Sequence, residues 1–143
     1  MKKLTCLITS ILILFSFSAC NSTNITYQKE YAAKEVLYSY FSEYEKSNYE
    51  GMKEYCTDEF IQSFFHASDV FGNISAKLLQ FTDRKIDTGD ENTLAFEIKV
   101  STNPIKGSAN YDENEPIYET YHVYILEKQS NGEWLIADLR LDM

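Results

Sequence analysis

The chain begins with a basic start and an apolar run, and it becomes polar after residue 20. Lys2 and Lys3 precede a stretch over residues 4–17 that carries no charge and is rich in Leu, Ile and Phe. This layout, followed by small residues, is typical of a secretory signal. The apolar run is shorter than the ~20 residues that span a bilayer, so we expect an export signal.

Helical periodicity begins about ten residues further on. Over residues 30–46 apolar positions recur at spacings of three and four, which predicts an amphipathic helix with one wide apolar stripe. The opposite side of this helix carries mostly charged or hydroxyl residues. The apolar stripe consists of Ala33, Val36, Leu37, Tyr40, Phe41 and Tyr44.

Two shorter helices are predicted after this one. Ser47 followed by Glu50 resembles a capping box, which marks a helix start. Thr57 or Asp58 can cap a third helix, and Gly72 ends the helical region.

After the helices, the apolar period changes to two. Segments 74–81, 93–101, 117–128 and 133–142 read as strands, with a polar and acidic loop over 104–116. The alternation is clearest in 93–101 and predicts a half-buried antiparallel strand. Helices followed by antiparallel strands predict an α+β domain with the helices on one face of the sheet.

The charge balance is strongly acidic. The 143 residues include 13 Lys and Arg against 22 Asp and Glu, a net charge of −9. Loss of Lys2 and Lys3 with the signal would leave 11 basic residues and a net charge of −11. This balance argues against nucleic acid as a partner, because nucleic acid requires a basic surface. It also argues against electrostatic docking on an anionic membrane.

The end of the apolar run resembles the lipobox of bacterial lipoproteins. Ser18, Ala19 and Cys20 match the motif, while Phe17 stands where Leu is usual. The resemblance implies cleavage before Cys20 and a diacylglyceryl group on its sulfur, which anchors the chain at the extracytoplasmic face of the cell membrane. Two acyl chains suit this role, because one chain anchors only marginally. The alternatives are an ordinary secretory signal cut near Ala19 and an uncleaved anchor.

These features divide the chain into three parts. Residues 1–19 form the lipoprotein signal peptide, 20–28 a polar tether that reaches at most about 30 Å when extended, and 29–143 one domain. This domain is long enough to bury a core without disulfides or metal. With Cys6 removed and Cys20 acylated, Cys56 remains alone, so no intramolecular disulfide is expected.

The domain itself resembles the NTF2-like (cystatin-like) family. The likeness rests on "YFSEYEKSNYEGMKEYCTDEF" (40–60) and on "NGEWLIADL" (131–139). "VFGNISAKLLQF" (70–81) resembles a group of uncharacterised lipoproteins of clostridial and related bacteria. The resemblance implies a curved antiparallel sheet around N-terminal helices, with a cone-shaped cavity. The short strand common between such helices is not evident in this sequence.

A candidate pocket follows from the aromatic residues and the last strand. Tyr40, Tyr44 and Trp134 could line a cavity, although packing in the core is the commoner role of such residues. Hydrophobicity alone favours the Leu135–Leu141 face of the last strand as core. The family resemblance favours the Trp134 face, which would direct Asp138 and Arg140 to the cavity. The alternative for this pair is a cross-strand surface salt bridge.

No catalytic, metal or cofactor site is expected. The histidines lack zinc spacing, and no nucleophile elbow or phosphate-binding loop is present. Cys56 on an apolar helical face reads as a small buried hydrophobe. We therefore expect a lipid-anchored, non-catalytic module that binds a small ligand or a protein partner and could form a homodimer. The alternative is a small cavity enzyme with isomerase- or cyclase-like acid–base chemistry.

Overall fold

The computed structural model of the chain describes residues 2–65, 74–104 and 118–141, with the side chains of 24–65, 74–103 and 118–141. The chain divides into two compact units, Met1–Ala32 and Ala33–Met143. The second unit has helices followed by an antiparallel sheet. The predicted α+β class, with N-terminal helices packed on an antiparallel sheet, is confirmed.

In the described residues, three helices and a short π-helical turn precede the sheet. Their bounds are α1 Lys2–Glu45, α2 Tyr49–Lys53, α3 Asp58–Phe60 and the π-helix Ile61–Phe65. Residues 20–28, which the sequence analysis assigns to a polar tether, lie within α1. This segment lacks an amphipathic period. Such a period indicates that a helix packs on a core, and a helix can form without it. A nine-residue helix is about 14 Å long, half the extended reach.

The start of α2 differs by one residue from the predicted capping box. Asn48 is the N-cap, and its Oδ1 accepts a hydrogen bond from the Gly51 amide at 3.3 Å. Ser47 instead has a positive φ of 59°, which turns the chain between the helices. Asn48 also donates from Nδ2 to Glu43 at 2.6 Å. A Cβ at Gly51 would lie 2.4 Å from this Nδ2, so glycine makes room for the cap.

The sheet is a four-stranded antiparallel meander in the order β1-β2-β3-β4. All four predicted strands are present. The first extends beyond the predicted end at residue 81, because two register shifts in its pairing with β2 disturb the alternation that sequence reading relies on. The strands are β1 Ile74–Ile86, β2 Thr93–Pro104, β3 Tyr118–Lys128 and β4 Trp134–Leu141.

A bulge in β4 changes which side chains share a face. Ile125 pairs with Asp138 and the next residue, Leu126, pairs with Ile136, so Ala137 is an extra residue without a partner. Side chains alternate between faces along a strand, and one extra residue reverses the alternation beyond it.

The core lies between the helices and one face of the sheet, here called the inner face. Ile98, Tyr124 and Ile136 on this face are each at most 2% exposed. Trp134 is 5% exposed and Leu141 is 59% exposed. The start of β4 therefore buries the Trp134 face, as the family resemblance implied and hydrophobicity alone did not. The opposite sheet face is called the outer face below.

A short bridge joins the helical region to the edge of the sheet. Cys56 forms an isolated parallel bridge with Ile136. The Thr57 amide donates to the Ile136 carbonyl, and the Ile136 amide donates to the Tyr55 carbonyl, both at 2.9 Å. In the described chain this bridge lies between α2 and α3. Thr57 Oγ1 then caps α3 by accepting from the Phe60 amide at 3.2 Å, as predicted.

Candidate functional site

The inner face carries a cluster of aromatic rings where a cavity was predicted. Tyr40, Phe41 and Tyr44 project from α1 because their spacing places them on its buried stripe. Tyr124 meets them from β3, with its ring centroid 5.9 Å from that of Tyr40 and 5.5 Å from that of Phe41. These edge-to-face contacts fill the space between helix and sheet with packed rings.

The tyrosine hydroxyls in this cluster are buried. Tyr40 is fully buried. Its hydroxyl interacts with the neighbouring Tyr124 hydroxyl, but it has no well-formed hydrogen bond among the described residues. Burial, and then the neighbouring Tyr124, raise the pKa of Tyr40 well above its ordinary value. Burial likewise raises the pKa of Tyr44 and of Tyr124. At neutral pH these groups are neutral phenols, suited to hydrogen bonding and unsuited to proton abstraction.

Cys56 lies beside this cluster as a buried thiol. It is 5% exposed, and its Sγ donates to the Met52 carbonyl at 3.4 Å. Burial raises the pKa of Cys56 to about 12. The thiolate is the nucleophilic form, so the interpretation of Cys56 as a small buried hydrophobe is confirmed.

His122 is a polar inner-face residue to which the sequence gave no role. It shares this face with Tyr124 and Leu126, and burial lowers its pKa. Its Nε2 is 2.9 Å from Thr120 Oγ1, whereas Nδ1 has no partner among the described residues. The period of two along β3 places His122 on the buried face, and this signal was available in the sequence.

The structure separates the five predicted pocket residues. Tyr40, Tyr44 and Trp134 are core residues of the inner face. Asp138 and Arg140 pair with Ile125 and Val123 and therefore lie on the outer face. The expectation that this pair points to the inner cavity is wrong, because the bulge at Ala137 reverses the faces after Ile136.

Asp138 and Arg140 form an exposed ion pair along one strand. Arg140 Nε is 3.4 Å from Asp138 Oδ2, with the two side chains 69% and 55% exposed. The pair is thus an exposed salt bridge within one strand, whereas the alternative expected a salt bridge across strands. Such a pair contributes little to stability, because water screens it and both side chains lose freedom.

This ion pair borders a concave site on the outer face. The site has a volume of about 360 Å³, and its apolar floor is formed by Ala95, Val123 and Ile125. We call it the outer depression. Ala95 is 9% and Val123 6% exposed, although neither belongs to the core cluster under the helices. Sequence reading missed the site, because its floor and rim come from all four strands.

Charged groups surround the floor of the outer depression. Asp87, Glu127 and Asp138 contribute three carboxylates, and Arg140 contributes one guanidinium. Thr88 and Thr93 add hydroxyl groups. A small apolar floor with a few polar groups at its rim is typical of a ligand site.

Two further features concern metals and the membrane. Among the described side chains, no three His, Cys, Asp or Glu residues converge as a metal site would require. No helix searched within the described part is long and apolar enough to cross a membrane. Cys20 lies within α1, in a stretch whose side chains are not described, so lipid attachment there stays a prediction.

Comparisons with known proteins support the fold alone. No protein-family model matches the chain, and no curated protein matches it. The crystal structure of a conserved protein from Planctomyces limnophilus DSM 3776 aligns with a TM-score of 0.53 and 15% identity, covering 81% of this chain and 99% of that one. At this identity the likeness concerns the arrangement of helices and strands.

Two looser structural matches carry the printed name "putative polyketide cyclase". The one from Pseudomonas putida KT2440 has a TM-score of 0.49 and 9% identity, covering 78% of this chain and 92% of that one. The one from Xanthomonas campestris pv. campestris has a TM-score of 0.45 and 10% identity, covering 75% and 90%. At these values neither match bears on the chemistry of this chain.

Proposed function

We propose that this chain is a lipid-anchored extracytoplasmic lipoprotein whose NTF2-like domain binds a small ligand or a protein partner without catalysis. The anchor is a diacylglyceryl group on Cys20. The binding site is the outer depression, and the observation that carries this choice is its buried apolar floor inside a charged rim.

The chemistry of the inner face supports a non-catalytic role. Its described phenols and its thiol have raised pKa values, so they are neutral and weakly nucleophilic at physiological pH. Hydrogen bonds from Lys46 and then Asn48 lower the pKa of the Glu43 carboxyl. A general acid at neutral pH would require a raised carboxyl pKa.

The anchor is tested by replacing Cys20→Ser, with Cys6→Ser as the matched control. We expect the Cys20 variant to lose incorporation of labelled fatty acid and to leave the membrane fraction or remain unprocessed. The Cys6 variant should behave as the parent chain does. Unchanged fatty-acid labelling of Cys20→Ser would overturn the proposed anchor.

The binding site is tested with small fragments of mixed charge and polarity. The full chain in detergent micelles, with ¹³C-labelled Ala, Val and Ile methyl groups, is titrated and followed by NMR. We expect saturable shifts that include Ala95, Val123 and Ile125. Shifts confined to other methyl groups for every fragment would overturn the outer depression as the site.

One observation favours the alternative of a small cavity enzyme. The imidazole of His122 is neutral at physiological pH, since burial lowers its pKa, and its Nδ1 is unpartnered among the described residues. A neutral imidazole can accept a proton, and Nδ1, which is buried, would have to become exposed to a substrate to do so. Hydrogen–deuterium exchange at the α-carbon of a small hydrophobic ketone, present with the parent and lost in His122→Gln, would favour the enzyme.

A further inference from the structure

We infer that the ligand of the outer depression is a small organic cation: an ammonium or guanidinium group on a short apolar body. This inference rests on the proposed function, because it names the ligand class of the same site. Three features of the described residues carry it: the size of the site, its charge, and the pairing of charges elsewhere on the outer face.

The size and floor of the site define the body of the ligand. A volume of about 360 Å³ lies near the lower limit of small-molecule pockets, which are ~300–1,000 Å³. Val123 and Ala95 are buried without belonging to the core under the helices. A ligand with an alkyl segment of a few carbons would bury its own apolar surface against this floor.

The rim determines the sign of the ligand's charge. Three of its residues are carboxylates, Asp87, Glu127 and Asp138, and one is basic, Arg140, which leaves about two net negative charges. The chain as a whole has a net charge of −9. A cleft lined by one sign of charge concentrates ligands of the opposite sign, so this site favours cations over anions.

The carboxylates at the rim are available to a ligand. The Glu127 side chain has no hydrogen bond or ion pair among the described residues. Asp87 accepts the Gly89 amide through Oδ1 at 2.9 Å, and no partner is described for its Oδ2. The long, exposed contact between Asp138 and Arg140 neutralises little of the rim.

Two other described carboxylates on the outer face, Glu97 and Glu119, are compensated. Glu97 accepts from Arg84 Nη1 at 2.6 Å and from Thr82 Oγ1 at 2.8 Å. Glu119 pairs with Lys99. Uncompensated negative charge on this face is therefore concentrated where the surface is also concave and apolar, which is the combination that an alkylammonium ion fits.

The test compares three probes of equal chain length: n-butylammonium, n-butanol and butyrate. Each is titrated into the labelled full chain while the methyl shifts of Ala95, Val123 and Ile125 are followed. We expect butylammonium to give saturable shifts, butanol to bind more weakly, and butyrate to bind weakest. Glu127→Gln should weaken butylammonium about two- to fivefold, the range expected for one exposed charge pair. Glu35→Gln, the same change at an exposed site on α1, should leave it unchanged.

Each other outcome overturns the inference in a distinguishable way. Equal binding of butanol and butylammonium would retain a ligand site there but remove the role of charge. Stronger binding of butyrate would make Arg140 the selective group and would also retain the site. An equal loss of affinity in Glu127→Gln and Glu35→Gln would show only a general effect of net charge. No shift with any probe, together with failure of the fragment titration, would overturn both this inference and the proposed binding site.

Discussion

At the scale of single residues, the hydroxyl of Tyr40 is costly where it lies. A buried hydroxyl without a partner loses its hydrogen bonds to water and gains none in return. Tyr49 provides the contrast, because its hydroxyl donates to the Ile74 carbonyl at 3.0 Å. Two tyrosines of one aromatic cluster thus differ in whether the hydroxyl is satisfied.

This difference gives a paired prediction. Tyr40→Phe removes an unsatisfied polar atom and should raise the free energy of unfolding by up to about 1 kcal/mol, whereas Tyr49→Phe removes a hydrogen bond and should lower it by about 1 kcal/mol. Urea unfolding followed by the fluorescence of Trp134 measures both. A loss of stability in Tyr40→Phe equal to that in Tyr49→Phe would mean that the Tyr40 hydroxyl has a partner.

At the scale of elements, the bulge in β4 explains why sequence and structure disagree there. Trp134 and Ile136 face the core. Continuing in steps of two beyond Ala137 gives Asp138 and Arg140, which lie on the outer face. Leu139, which lies one position out of phase with Ile136, packs against the core. Hydrophobic alternation, which favours the Leu135–Leu141 face, therefore identifies the strand correctly and misplaces its first half. The family resemblance, which favours the Trp134 face, misplaces its second half.

The buried half of β4 is tested by truncating two aliphatic side chains. Ile136→Ala should lower the free energy of unfolding by 2–5 kcal/mol, as expected for a fully buried site. Leu141→Ala, at a site 59% exposed, should change it by less than about 0.5 kcal/mol. Chemical denaturation measures both, and a larger loss of stability at Leu141 than at Ile136 would contradict the burial described for the start of β4.

The sequence predicted the elements better than the contacts among them. Local periodicity and capping residues sufficed for the amphipathic part of α1, the four strands and the Thr57 cap. The position of the bulge and the outer depression could not be predicted, because each depends on pairing between segments distant in sequence. The cap at Asn48 is local, and it was missed because Ser47 and Asn48 are neighbouring residues that both favour the N-cap position. Of the candidate pocket, the aromatic members were correctly associated, and the charged members were assigned to the wrong face.

At the scale of the whole molecule, several buried acidic groups make the fold sensitive to alkali. The folded-state pKa values of Tyr40, Tyr44, Tyr124 and Cys56 are all raised above their ordinary values, mainly by burial. Each group then holds its proton more tightly in the folded chain than in the unfolded chain. The resulting stability is fully present below about pH 8.5, the lowest of the unfolded pKa values, and is lost as the pH rises above it.

We therefore expect constant stability between pH 7 and 8 and a steep decline above pH 9. Each group contributes at most about 1.4 kcal/mol per pH unit once its unfolded form has ionised. Urea unfolding at pH 7, 9 and 10.5 measures the decline. Tyr124→Phe should make it shallower, whereas Tyr118→Phe, at an exposed site, should not. Equal effects of the two substitutions would contradict this account.

The bridge between Cys56 and Ile136 also affects how copies of the chain behave beside one another. In the described sheet, β1 and β4 are the outermost strands, and their unpaired amides and carbonyls could recruit a strand from a neighbouring molecule. Tyr55 and Thr57 occupy the edge of β4 at Ile136, and the bulge and charged pair follow directly. On the other side, the irregular register of β1 interrupts a straight edge. Both edges would thus disfavour strand pairing, and so aggregation, between molecules crowded on a surface.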